Sequence, residues 1–168
     1  LKNDPNFTQI LTLFTNPILG VLAGMILTAI VQSSSASIGI LQALSVTGAI
    51  SFGTAIPIVL GQNIGTCVTA MISSISANKN GKRTAVVHLL FNVISVVFWL
   101  CMYYLVGWIL QIAGVIDIFN LANNTTIDMF GIAITHTVFK LLAVALMWPF
   151  SKLLEKLANL IIRGDDKK

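Results

Sequence analysis

The sequence predicts an all-α integral membrane module: a re-entrant helical hairpin, a broken helix, two transmembrane spans and an amphipathic tail. Three observations carry that expectation. No Asp, Glu, Lys or Arg occurs from Pro5 to Asn78, and none from Thr84 to Ile116. Only 10% of the 168 residues are charged and 56% are hydrophobic, with mean hydropathy +0.89, whereas a soluble domain carries roughly 25% charged residues. The uncharged stretch also holds two polar clusters, Gln32-Ser33-Ser34-Ser35 and Gly61-Gln62-Asn63-Ile64-Gly65-Thr66. Lipid tolerates such groups only where they face protein or a water-filled cavity.

Residues 1–16 read as a polar linker followed, from about Thr8, by the start of a helix. Proline restricts the residue before it, so Asn16-Pro17 marks a helix restart. From Pro17 to Val31, and again from Ala36 to Ile50, run 15 residues without charge. A complete span needs roughly 20. Two short arms meeting at a polar tip describe a re-entrant hairpin; the alternative is two full helices with a serine-rich packing interface. In the next unit, residues 51–77, the arms 55–60 and 65–75 flank the glycine- and amide-containing cluster. That cluster reads as an interruption exposing backbone groups, or else as ordinary small-residue packing.

Residues 78–83, with Lys79, Lys82 and Arg83, read as a tight basic turn. Thr84 to Ile116 follows as one full span, with His88 and Asn92 on one helix face and Trp99, Tyr103, Tyr104 and Trp108 toward its far half. Asp117 to Asp128 reads as a polar loop without Lys or Arg, and a last span runs from about Ile127 to Phe150. In the tail, 151–168, Leu153, Leu154, Leu157, Leu160 and Ile161 share one face, with Lys152, Lys156 and Arg163 elsewhere. The positive-inside rule places the 78–83 turn and the tail in the cytoplasm and 117–128 outside, so the hairpin opens outward. The matches to the N-glycosylation pattern at Asn6, Asn123 and Asn124 matter only in a eukaryotic secretory route.

The basic residues flank membrane segments, which argues against a nucleic-acid surface. Cys67 and Cys101 lie in apolar surroundings and read as buried free thiols, with no cysteine–histidine cluster at metal-ligand spacing. Without a nucleophile–base pair or metal cluster, an enzyme is not expected, nor is a cofactor. Hydroxyls, a side-chain amide and freed backbone groups in a neutral cluster suit a small hydrated ion moved across the membrane. The polar opening lacks a signal-peptide pattern, and a start at Leu1 without Met leads us to expect a piece of a longer polypeptide or a processed product.

Thr28-Ala29-Ile30-Val31-Gln32-Ser33-Ser34-Ser35-Ala36, Gly61-Gln62-Asn63-Ile64-Gly65-Thr66, His88-Leu89-Leu90-Phe91-Asn92 and Ala133-Ile134-Thr135-His136-Thr137-Val138-Phe139 occur in that order. In this the chain resembles the type II sodium–phosphate cotransporters over about residues 17–150. That family is built from two inverted repeats, each with a QSSS hairpin; this chain has one, and resembles the second repeat. The resemblance implies sodium-coupled symport of inorganic phosphate in the plasma (inner) membrane, with sodium as the coupling ion. It places Gln32, Ser33, Ser34 and Ser35 at the substrate and sodium site, with Asn63 and Thr66 on the opposing broken helix. Sodium ligands would come from Ser33, Ser34, Ser35, Asn63 and Thr66; Gln62, Gly65, His88, Asn92, His136 and Lys140 are candidate cavity-lining residues. A missing first repeat, on the same polypeptide or a second chain, is expected as a partner, and a homo-oligomer is open. The rival readings are a transporter of another small anion on this scaffold, and a non-transporting membrane assembly or regulatory subunit.

One departure stands out. Lys140 occupies a position where the pattern usually has an amide. It lies ten residues before Phe150, roughly 15 Å along a helix and so near mid-membrane. A lysine there costs at least about 2.5 kcal/mol unless it faces protein or water. It is expected to face the bundle, with His88 and His136 as structural hydrogen-bonding groups.

Overall fold

The computed structural model describes residues 5–164; residues 1–4 and 165–168, at the ends of the expected linker and tail, lie outside the described residues. The chain forms α1 (Pro5–Leu13), α2 (Pro17–Val31), α3 (Ser34–Ser45), α4 (Phe52–Gly65), α5 (Cys67–Ser74), α6 (Lys79–Ile112), α7 (Ile118–Asn124), α8 (Met129–Met147) and, after a 3-10 turn at Trp148–Phe150, α9 (Ser151–Ile161). Among the described residues, three helical stretches are long and apolar enough to cross a membrane: Phe52–Ser74, Lys79–Ile112 and Met129–Ile161. The chain is thus an all-α integral membrane protein.

The hairpin arms begin and end for local reasons. Asn16 accepts from the backbone N–H groups of Ile18 and Leu19 while Pro17 supplies a first-turn residue that needs no donor partner. At the other end Gln32 adopts a left-handed conformation, φ 54°, with its N–H on Thr28 O at 2.7 Å. Ser33 is extended and caps α3 by accepting from Ala36 N at 3.3 Å. The second arm therefore starts at Ser34 and stops at Ser45, shorter than the expected 36–50. At about 1.5 Å per residue the arms measure roughly 22 and 18 Å, less than the roughly 30 Å hydrocarbon core.

α4 is the centre, in contact with α2, α3, α5, α6, α7 and α8. Its partnership with α2 rests on two glycine pairs. A Cβ at Gly24 would run into the Ile58 carbonyl, and one at Gly61 into the Val21 carbonyl; Gly20 faces Pro57, and Gly65 faces Met25 and Thr28. Four-residue spacing puts Gly20, Gly24 and Thr28 on one buried ridge, with Gly61 and Gly65 opposite. This overturns one expectation. The 61–66 cluster does not interrupt a helix: α4 continues through Gly61, Gln62 and Asn63, and a slight break comes only at Thr66. The glycines serve close packing, which a continuous helix provides and an unwound segment would lose.

Three further expectations are corrected. Residues 79–83 are the first turns of α6, capped by Asn78, rather than a tight turn. The 117–128 loop contains α7, capped by Asp117, whose Phe119 stacks on Tyr104 with ring centroids 5.4 Å apart. Helical structure begins at Pro5, before Thr8.

The two ends of the bundle are distinct. At one, Phe52 N donates to Thr125 O and Ile127 N to Ile50 O, each at 3.0 Å. Pro17 lines a cavity there with Gly53 and Phe119, and Gly48 lines another with Phe52 and Thr126. Both arms of the hairpin thus open at this end. At the other, Arg83 holds the chain after α9: Nε donates to Ile162 O at 3.2 Å and Nη2 to Gly164 O at 2.7 Å. The two basic segments therefore sit side by side. On α9 only Leu154 and Ala158 are buried, while Leu153, Leu160 and Ile161 remain exposed.

If the glycine seam sets the α2–α4 distance, Gly61→Val is expected to cost about 1–3 kcal/mol or more by overpacking. Thermal unfolding in detergent should show a lower midpoint than wild type, while Gly39→Val, at a site with nothing within 4 Å of an added Cβ, should change it little.

Candidate functional site

Two polar groupings lie inside this apolar framework. The first joins three helices. Thr28 Oγ1 on α2 donates to Ser37 Oγ on α3 at 2.8 Å; Gln62 Nε2 on α4 donates to Ser37 O at 3.0 Å and to Ser37 Oγ at 2.9 Å. All three side chains are essentially inaccessible, at 1%, 0% and 1% exposure. The other amide atom, Gln62 Oε1, is buried and has no hydrogen-bond partner among the described residues. Gln62, expected as a cavity-lining residue, is therefore the bond between hairpin and centre. Thr28 and Ser37 were not singled out as site residues. Their signal was present: Thr28 continues the Gly20–Gly24 ridge, and Ser37 is another hydroxyl beside the cluster.

At the hairpin tip, Gln32 and Ser35 are exposed and Ser33 and Ser34 half-buried, with Ser33 and Ser35 hydroxyls 3.3 Å apart. Among the described residues no hydrogen bond joins Gln32, Ser34 or Ser35 to Asn63 or Thr66. Those two are occupied locally: Asn63 Nδ2 donates to Val59 O at 2.9 Å and Thr66 Oγ1 to Gln62 O at 2.8 Å. Gly65 is backed by α2, leaving no room for a cavity at its Cα.

The second grouping lies where α5 begins. Buried Cys67 approaches Asn63 O at 3.8 Å and His88 O at 3.5 Å, and Asn92, 2% exposed, donates through Nδ2 to His88 O at 3.0 Å. Lys140 on α8 is half-buried and close enough to interact electrostatically with Cys67, His88 and His136. It faces the bundle, as expected. Cys67 and Cys101 are both free, but only Cys67 is buried; Cys101 is exposed on α6, where lipid can take the place of protein neighbours. Among the described residues, no group of three His, Cys, Asp or Glu side chains is placed to hold a metal ion.

A neutral polar hairpin locked to a central helix inside a charge-poor bundle defines the class: a helical membrane protein with polar sites built in its interior. The chain belongs to the Na+/Pi-cotransporter family, which it matches over residues 3–147. It is 47% identical over 76 residues to YqeW of Bacillus subtilis, whose name assigns no function, covering 45% of this chain and 25% of that protein. To sodium-dependent phosphate transport protein 2A of Rattus norvegicus it is 34% identical over 121 residues, covering 67% of this chain and 19% of the relative. YjbB of Salmonella typhimurium, named provisionally for inorganic phosphate export, is 27% identical over 147 residues, covering 88% of this chain and 25% of the relative. The chain thus spans a quarter or less of the length of these relatives. No solved structure is significantly similar to it.

Ser37→Ala removes the hydroxyl that accepts from both Thr28 and Gln62, leaving Thr28 short of its acceptor and Gln62 with only the residue 37 carbonyl. The expected loss is about 1–3 kcal/mol, measured as a fall in the unfolding midpoint in detergent. Equal midpoints for variant and wild type would mean that the network does not hold the hairpin.

Proposed function

We propose that the chain is one repeat, resembling the second, of a sodium-coupled inorganic phosphate symporter, completed by a first repeat on the same polypeptide or a second chain. The observation that carries this reading is the hairpin turn. It presents Gln32, Ser33, Ser34 and Ser35 at the junction of two arms too short to span, in a segment without charged residues from Pro5 to Asn78. Family membership supports the substrate and the coupling ion. Backbone carbonyls and serine hydroxyls supply the oxygen ligands that sodium favours, and the α3 N-terminus, capped by Ser33, adds positive potential for an anion.

The hairpin re-enters the membrane from the outside, since both its arms open at the end away from the basic segments, which lie in the cytoplasm under the positive-inside rule. Asn63 on α4 and Thr66, which caps the C-terminal end of that helix, form the opposite wall for sodium with the three serines. Alternating access at such a site requires a second repeat as the other wall. The name of YjbB favours a second reading, phosphate efflux on the same scaffold; comparing uptake with efflux from phosphate-loaded vesicles separates the two directions.

Combined Ser33→Ala, Ser34→Ala and Ser35→Ala replacement in the full-length parent protein should lower sodium or phosphate affinity with normal membrane insertion, each lost hydroxyl removing about 1–3 kcal/mol of interaction. Phosphate uptake with an unaltered sodium dependence would refute the assignment. For the hairpin's direction, Ser34→Cys in a background lacking Cys67 and Cys101 should react with an extracellular thiol reagent. Reaction from the cytoplasm alone, in every sodium and phosphate condition, would place the opening on the wrong side.

A further inference from the structure

The 19 residues of α8 measure about 28 Å at roughly 1.5 Å per residue, which matches the roughly 30 Å hydrocarbon core. The 3-10 turn at Trp148–Phe150 therefore falls at the membrane boundary, and α9 starts there. α9 packs against α6 through buried Leu154 and Ala158. At about 100° per residue the other side chains sort into strips. Leu153, Leu157, Leu160 and Ile161 form an apolar arc beside the buried pair, with Leu153, Leu160 and Ile161 each at least half exposed. Lys152 and Lys156, both exposed, run along the far edge of that arc. Arg163, just past the helix, donates through Nε to Leu160 O at 3.4 Å and sets a third cation there. Glu155, the only acid of α9, lies on the other side, in a polar cleft of about 460 Å³ with Asn80, Arg83, Thr84 and Asn159. At the entry to the helix Trp148 is 78% exposed.

This pattern meets two opposed demands at one place. In water the apolar arc is uncovered surface of the kind that marks an interaction site, and in hydrocarbon the lysines are costly. At the boundary of a leaflet both are satisfied. The leucines enter the upper acyl region while the lysine stems carry their ammonium groups out to the headgroups. An exposed tryptophan at the entry fits the same depth. We propose that α9 is an interfacial helix that docks on the leaflet at the basic end of the bundle, with Lys152, Lys156 and Arg163 binding anionic phospholipid headgroups. Charge complementarity selects this occupant. The three cations line the open edge of the apolar arc, and the one carboxylate lies on the Arg83 side, so the face toward the leaflet carries a single sign. A row of Lys and Arg beside the apolar face of an amphipathic helix is drawn to anionic lipid. Arg83 joins the chain after α9 to the start of α6, so lipid that holds α9 also holds that span. Such a contact is independent of what the protein transports.

The test uses the full-length parent protein in nanodiscs of phosphatidylcholine with a minor share of phosphatidylglycerol. A cysteine-free background carries one small fluorophore through Leu160→Cys or, in a second sample, Leu153→Cys. Quenching is measured with phospholipids spin-labelled near the top of the acyl chain and with a water-soluble quencher. The spin-labelled lipid should quench both probes, and the water-soluble quencher should reach neither. At low salt, spin-labelled phosphatidylglycerol should quench roughly fivefold or more better than spin-labelled phosphatidylcholine, the enrichment that one basic contact at the surface supplies. Combined Lys152→Gln, Lys156→Gln and Arg163→Gln should bring that ratio close to one and leave quenching by phosphatidylcholine in place. Lys152→Arg with Lys156→Arg, which keeps the charge, should keep the ratio. Equal quenching by the two lipids with the three cations intact overturns the headgroup contact. A preference for phosphatidylglycerol that persists in the triple-glutamine variant overturns the assignment to these residues. Protection from both quenchers means that protein, another part of the chain or a second copy, covers the arc, and overturns the docking. Access of the water-soluble quencher to both probes overturns it as well.

Discussion

The amide of Gln62 is the constraint on which the arrangement of the hairpin depends. In a segment without charged side chains, a polar group withdrawn from water has only other protein groups to satisfy it. Gln62 meets that need through Nε2, which donates to Ser37 O and Oγ at 3.0 and 2.9 Å while Ser37 Oγ also accepts from Thr28. These bonds form because Gly20, Gly24, Gly61 and Gly65 let the α2 and α4 backbones approach more closely than any side chain would allow. Backbone approach, amide reach and hairpin position are thus consecutive consequences of residue size.

The charge pattern sorts the two ends. Lys79, Lys82 and Arg83 open α6, and Arg83 reaches across to the carbonyls of Ile162 and Gly164. These carbonyls lie just past α9, where the orphan acceptors of a helix end seek donors. The guanidinium thereby ties the chain after α9 to α6 and adds to the buried contacts of Leu154 and Ala158, while Leu153, Leu160 and Ile161 stay uncovered. At the opposite end, the short backbone pairing of residues 50–52 with 125–127 ties the α3–α4 connection to the entry of α8.

Much of this was legible in the residues. The start of α2 at Pro17 and its end at Val31, the helix start in the serine run, and the long span after residue 83 all follow from proline, capping and charge rules that act locally. The inward turn of Lys140 was legible too, because a charge at that depth has few places to go. The 61–66 segment was not. Glycine and amides in sequence look the same whether they unwind a helix or pack it, and only the partner helix, Gly20 and Gly24 of α2, distinguishes the cases. The Thr28–Ser37–Gln62 network was hidden for the same reason, since its members are 9 and 25 residues apart and meet only in three dimensions. α7 was missed because its seven residues are too few for a periodic pattern to register.

The left-handed backbone at Gln32 has a consequence of its own. Among the described residues it is the sole non-glycine with positive φ, at 54°, a conformation that costs an L-residue about 1–2 kcal/mol and glycine almost nothing. A turn needing only to reverse the chain would be better served by glycine. Position 32 instead carries an exposed amide on a strained backbone, so folding preference and side-chain chemistry oppose each other at this residue. Strain of this kind persists where surrounding structure holds it, and here the capped ends of α2 and α3 provide that hold. The hairpin tip is therefore a spring-loaded mount for a side chain.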